Sequence, residues 1–155
     1  MFETIVWATD GSELADRALE QVRELAAIHG ARIVAVHANE LLAGRFGGAP
    51  LLADEPDVRE KIGRQVEEMR EQGVDVRLEI RSGSRDVATL IARAADDVDA
   101  DLIVVGTHGH GGLAAALMGS VARALCHTAR RPVLIVPPVR KTEKTADAGE
   151  HLASV

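Results

Sequence analysis

A doubly wound α/β fold is predicted: a single-domain, three-layer α/β/α sandwich built on a five-stranded parallel sheet. Two observations predict it. Short aliphatic segments alternate with stretches of helical period in the order βαβαβαβαβ, and four of the five short segments are nearly unbroken in apolar residues, as strands covered on both faces must be. The length of 155 residues suits one core and is too short for two.

The strands are expected at Thr4 to Ala8, Ile33 to His37, Val74 to Ile80, Leu102 to Val105 and Val133 to Val136. The third alternates Asp75, Arg77 and Glu79 with apolar residues, the pattern of an edge. In the first helix Leu14, Ala18, Val22, Leu25 and Ala26 fall at helical spacing behind a candidate cap at Ser12, and Gly30 stops the run. Val58, Ile62, Val66 and Met69 mark a second helix between Pro56 and Gly73. Val87, Leu90, Ile91 and Ala94 mark a third, with Ser84 placed to accept its first amides. The last starts near Ser120, carries Val121, Ala124, Leu125 and Thr128 on one side, and ends before Pro132. Two regions break this rhythm. Asn39 to Glu55 is a long glycine-containing connection, expected to be a lid or contact surface. Residues 140–155 are polar and without period, and are expected to form a disordered tail beyond a domain of residues 1–139.

Composition excludes several function classes. Lys and Arg number 18 against 24 Asp and Glu, for a net charge of -6, and the aromatics are Phe2, Trp7 and Phe46. A nucleic-acid partner is therefore not expected, since it calls for a basic footprint and rings for stacking. No apolar run is long enough for a membrane span and the opening residues carry no signal-peptide pattern, so a cytoplasmic location without membrane contact is expected. Cys126 is the single cysteine and cannot form an intrachain disulfide. With no activating base beside it, it is expected to be an inert buried thiol.

In an open parallel sheet, ligands bind beyond the carboxyl ends of the strands, where the strand order reverses. The sequence is unusual at two such places. The first strand runs into Ala8-Thr9-Asp10-Gly11-Ser12, and the fourth into Gly106-Thr107-His108-Gly109-His110-Gly111-Gly112. Glycines let a phosphate approach backbone N–H groups that a β-carbon would shield. Gly119 and Ser120 then open the last helix, where free amides and the positive end of the dipole meet. Two plainer readings stand beside these: the glycine stretch as a flexible turn with Ser120 as a cap, and Asp10 as the cap of the first helix.

The spacing Gly106-x2-Gly109-x9-Gly119-Ser120 resembles that of the universal stress protein family, in its nucleotide-binding branch. The resemblance spans about residues 2 to 138, through TDGS, THGHGG, GSVA and PVLIVP in order. It implies an adenine nucleotide alpha hydrolase-like sheet of order 3-2-1-4-5 and a bound ATP, or AMP or ADP. Asp10 would face the ribose or a phosphate-bound metal, while Ala8, Thr9 and the Ala38 backbone would border the adenosine and Val105 the base. Gly106, His108, Gly109, Gly119, Ser120 and Val121 would wrap the phosphates, with Mg2+ held mainly by the phosphates themselves. The resemblance also implies a homodimer paired through Val133 to Val136, acting on a downstream protein partner in a stress response.

Other nucleotide motifs are absent. There is no GxxxxGK[ST], and the third strand ends in Ile80-Arg81-Ser82-Gly83 without the aspartate a receiver domain needs. Many family members carry Arg where this chain has His110, and no Lys or Arg occurs between Gly106 and Ser120. With neither that charge nor a catalytic base, no catalytic residue is assigned and any hydrolysis is expected to be slow. His108 and His110 have no third ligand near them, so no metal site is assigned and both are expected as solvated loop residues. His37 and His127 are expected as satisfied structural residues. An interaction module with an empty pocket and a slow ATPase are the alternatives to a nucleotide-dependent sensor.

Overall fold

The computed structural model describes residues 1–42, 51–52, 56–83, 86–109 and 118–138. In chain order these form β1 (Thr4–Ala8), α1 (Glu13–His29), β2 (Arg32–Leu42), β3 (Leu51–Leu52), α2 (Pro56–Glu71), β4 (Val76–Gly83), α3 (Val87–Asp97), β5 (Leu102–Gly106), α4 (Ser120–Thr128) and β6 (Val133–Val136). Five strands pair in parallel in the order β4-β2-β1-β5-β6, which is 3-2-1-4-5 when only the parallel strands are counted. The expected edge strand, β4, pairs with β2.

The unbroken apolar strands are explained by the two faces of the sheet. Val6, Val34, Val36, Ile103 and Val105 point into one core, closed by α3 and α4. Their neighbours Ile5, Trp7, Ile33, Ala35 and Val104 point into the other, closed by α1 and α2. Each helix brings one stripe: Ala15, Ala18, Leu19, Val22 and Ala26 on α1, and Ile62, Val66 and Met69 on α2. Ser12 caps α1, its hydroxyl accepting the Ala15 N–H at 3.3 Å, and Gly30 closes the helix at φ 67°, a left-handed turn that glycine adopts without strain.

Three expectations are corrected. The third helix is capped by Asp86, whose carboxylate accepts the Thr89 N–H at 3.0 Å, so Ser84 is not its cap; Ser84 itself lies outside the described residues. The connection from Asn39 to Glu55 is not all loop. Strand β2 runs on to Leu42 and pairs antiparallel with β3, Leu41 opposite Leu52. Cys126 is exposed, because Ala122 and Leu125 set the buried side of α4 and turn residue 126 away from it. His110, the rest of that connection (43–50 and 53–55) and the expected tail at 140–155 lie outside the described residues.

Asp101, just ahead of β5, fastens the start of the chain. Its Oδ2 accepts the N–H groups of Glu3 at 2.7 Å and Thr4 at 2.9 Å. These donors, Thr4 first, hold its pKa below the usual aspartate value. A carboxyl with a lowered folded-state pKa contributes stability above its unfolded pKa of about 3.9 and loses it as pH falls through the folded value. At this partly exposed position Asp101→Asn is expected to cost about 1 kcal/mol at neutral pH. Urea melts should show the difference shrinking as the pH falls below the unfolded value of about 3.9. A gap unchanged in acid would mean that the carboxylate charge contributes nothing.

Candidate functional site

The turn after β1 is folded by its own polar side chains. The Thr9 N–H extends the pairing with β2 by donating to the Val36 carbonyl at 2.9 Å. Thr9 Oγ1 accepts the Gly11 N–H at 3.1 Å, and Asp10 Oδ1 accepts the Ser12 N–H at 3.0 Å. Gly11 sits at φ 76°, which explains a glycine there. His37 is buried and its Nδ1 lies 2.9 Å from the Thr9 carbonyl. A carbonyl only accepts, so that nitrogen carries the proton. Asp10 thus shapes the turn, but the cap of α1 is Ser12.

The turn after β5 is closed by backbone. The Thr107 N–H donates to the Val136 carbonyl at 3.0 Å, while the Thr107 carbonyl accepts the Gly119 N–H at 2.7 Å. Residues from both ends of the β5–α4 connection therefore meet. The two turns also meet each other: a β-carbon on Gly109 would lie 2.1 Å from Asp10 Oδ2. One on Gly119 would fall 2.8 Å from the Thr107 carbonyl and 3.2 Å from His108 Cα, and one on Gly106 would fall 2.9 Å from the Leu14 carbonyl. This amends the reason for the glycines. Their missing side chains make room for the protein's own backbone and for Asp10, and so bring the loops together.

Gly119 occupies the N-cap of α4 and has no side chain to offer, so Ser120 does not cap the helix; it is the first helical residue and is exposed. The Arg123 N–H closes on the Gly119 carbonyl at 3.1 Å. The amides of Ser120, Val121 and Ala122 precede that bond at the positive end of the helix. Beside them Thr107 Oγ1 and His108 Nε2 are buried and have no hydrogen-bond partner among the described residues. His108 is half-buried and its Nε2 is buried, so it is not the solvated loop residue expected.

The remaining predicted residues are placed as follows. Ala8 and Val105 are buried and their side chains belong to the core on the α3 and α4 side, so Val105 is a core residue before it is a pocket wall. Ala38 packs partly against the same core and is paired in register with Arg81, on the part of β2 that continues past β1. Val121 is half-buried against that core. His127, expected as structural, is exposed on α4. Lys61 was not singled out by the sequence, yet its Nζ lies 2.6 Å from the Gly11 carbonyl and 2.6 Å from Asp16 Oδ2. Nothing local in the chain links positions 11 and 61; only the packing of α2 beside α1 does.

A model of the universal stress protein family matches residues 1–137. The chain belongs to the universal stress protein family. A universal stress protein of Thermus aquaticus is 32% identical over 143 residues, covering 88% of this chain and 99% of its own. The universal stress protein of Archaeoglobus fulgidus solved in complex with dAMP is 27% identical, with a TM-score of 0.61 over 87% of this chain and 97% of that one. Another universal stress protein, solved in complex with cAMP, is 25% identical, with a TM-score of 0.64 over 87% and 96%. Some relatives are longer: a Mycobacterium tuberculosis universal stress protein, 30% identical over 128 residues and 81% of this chain, is matched over 42% of its length. Among the described residues no helix is long and apolar enough to cross a membrane.

Proposed function

We propose that this universal stress protein binds an adenine nucleotide in the crevice between the ends of β1 and β5, and serves in the cytoplasm as a nucleotide-dependent sensor in a stress response. The observation that carries this reading is the meeting of the Gly106 to Gly109 turn with the start of α4, where the first amides of the helix lie next to Thr107 and His108, whose Oγ1 and Nε2 are buried with no hydrogen-bond partner among the described residues. Two solved relatives bound to nucleoside monophosphates support the same ligand class. Asp10, Thr9, Ala8, Ala38 and Val105 would hold the nucleoside. Gly106, His108, Gly109, Gly119, Ser120 and Val121 would hold the phosphates, mainly through backbone N–H groups, with the Ser120 hydroxyl as a further donor.

No Lys or Arg lies between Gly106 and Ser120, so nothing in this loop clamps a γ-phosphate. ATP, ADP and AMP are therefore expected to compete on similar terms, Mg2+ riding on the phosphates of the first two. Calorimetric titration of the three nucleotides, with and without magnesium, tests this. Binding by at least one is required; a chain that takes none is the empty interaction module instead. Product analysis after long incubation with Mg-ATP separates a sensor from a slow ATPase.

The output is proposed to run through a homodimer to a downstream protein. β6 pairs with β5 along one side, and Leu134 on it is 37% exposed, an edge open to addition of a second strand. Sedimentation of the titrated sample should give twice the chain mass of 16.5 kDa. A monomer at all concentrations would remove this route.

A further inference from the structure

The nucleotide reading leaves open what holds Asp10 in place, and the contacts around Gly11 supply an answer. Gly11 lies between Asp10 and Ser12 at φ 76°. Its carbonyl oxygen accepts from Lys61 Nζ at 2.6 Å, and the N–H on the other side of that same peptide bond, that of Ser12, donates to Asp10 Oδ1 at 3.0 Å. A peptide group is planar and trans, so its C=O and N–H point in opposite directions and turn together. Fixing the carbonyl fixes the N–H. The rotation matters because glycine, lacking a β-carbon, lets the following peptide plane turn over more readily than any other residue would.

Lys61 is itself held. Its ammonium group also meets Asp16 Oδ2 at 2.6 Å, and Asp16 Oδ1 accepts from Gln65 Nε2 at 2.8 Å. Lys61, Gln65 and Val58 all belong to α2, and Val58 Cγ1 stands 3.0 Å from where a β-carbon on Gly11 would be. A charged donor on a carbonyl is a stronger tie than a neutral one. We propose that Lys61 is a positioning residue for the nucleotide: by gripping the Gly11 carbonyl it keeps the Gly11–Ser12 peptide from turning over, and so holds the Asp10 carboxylate toward Gly109. This rests on the nucleotide reading above and adds a residue of α2 to that site.

The test uses Lys61→Met, which keeps the length of the side chain and removes the charge, and Lys61→Arg, which keeps the charge. Amide hydrogen exchange at Ser12 in the nucleotide-free protein reports the bond to Asp10 directly. In Lys61→Met it is expected to speed up about tenfold while Val6 and Trp7 in β1 are unchanged, and AMP affinity is expected to fall about tenfold; Lys61→Arg should restore most of both. Unchanged Ser12 exchange in Lys61→Met overturns the proposal. So does faster exchange throughout β1, which would mark a general loss of stability, and so does AMP affinity within twofold of the parent. If the parent takes up no nucleotide while Ser12 still responds to Lys61→Met, the functional reading falls and takes the binding role of Lys61 with it, but the grip on the turn stands.

Discussion

Gly119→Val is expected to weaken nucleotide binding roughly a hundredfold while leaving the dimer and most of the fold intact. Its β-carbon would start 2.8 Å from the Thr107 carbonyl and 3.2 Å from His108 Cα, both main-chain atoms that cannot swing aside as a flexible side chain could. The two branches of valine extend the conflict. Relief requires the start of α4 to back away from the Gly106 to Gly109 turn, breaking the 2.7 Å bond from the Gly119 N–H to Thr107. Phosphate would then meet one set of donors or the other but not both. Losing two bonds to a charged group, at about 1.5 kcal/mol each, amounts to roughly a hundredfold in affinity. Calorimetry against AMP reads the loss, and sedimentation checks that the assembly is retained. A variant that bound AMP as the parent does would remove the phosphate role assigned to this junction.

Trp7→Ala should produce the largest loss of stability of any single change on β1. Trp7 is fully buried among α1, α2 and the sheet, and its indole Nε1–H donates to the Ala15 carbonyl at 3.0 Å, tying the strand to the helix that follows the site. Truncating a buried Trp leaves a cavity that close-packed surroundings fill only in part, at about 3 to 5 kcal/mol. The melting temperature should drop by about 10 °C or more. Trp7→Phe keeps most of the volume and loses the hydrogen bond, so it should cost about 1 to 2 kcal/mol and leave nucleotide binding unchanged. Equal losses for the two substitutions would mean that the bond to Ala15, and not the packing, carries the effect.

The features legible in the sequence are those whose cause is local. The cap at Ser12, the stop at Gly30 and the strand segments each follow from a few adjacent residues, and the parallel pairing follows from their alternation with helices, whereas the order 3-2-1-4-5 is what the family resemblance implies. Where two local signals compete, the sequence misleads. Ser84 and Asp86 are both good caps two positions apart, and Asp86 wins because Thr89 gives it a second bond, from a hydroxyl at 2.7 Å. In α4 the period holds, with Val121, Ala124 and Leu125 against the core; a buried Cys126 is expected from the residue type and not from that period, and position 126 faces outward. In the candidate site the motif residues were legible as a group. The contacts that join them were not, since Asp10 meets Gly109, and Lys61 meets Gly11, only after strands and helices distant in the chain have packed.

The clasp between Thr4 and Asp101 joins positions 97 apart, whereas β1 meets β2 only one helix later. During synthesis the first β-α-β unit can assemble early, but β5 and α4 reach β1 only after α2, β4 and α3 have emerged. The crevice between β1 and β5 therefore forms later than the first β-α-β unit. Under the proposed nucleotide reading, a ligand settling there would bind the folded chain and not the unfolded one, so nucleotide supply would govern how long newly made chains survive.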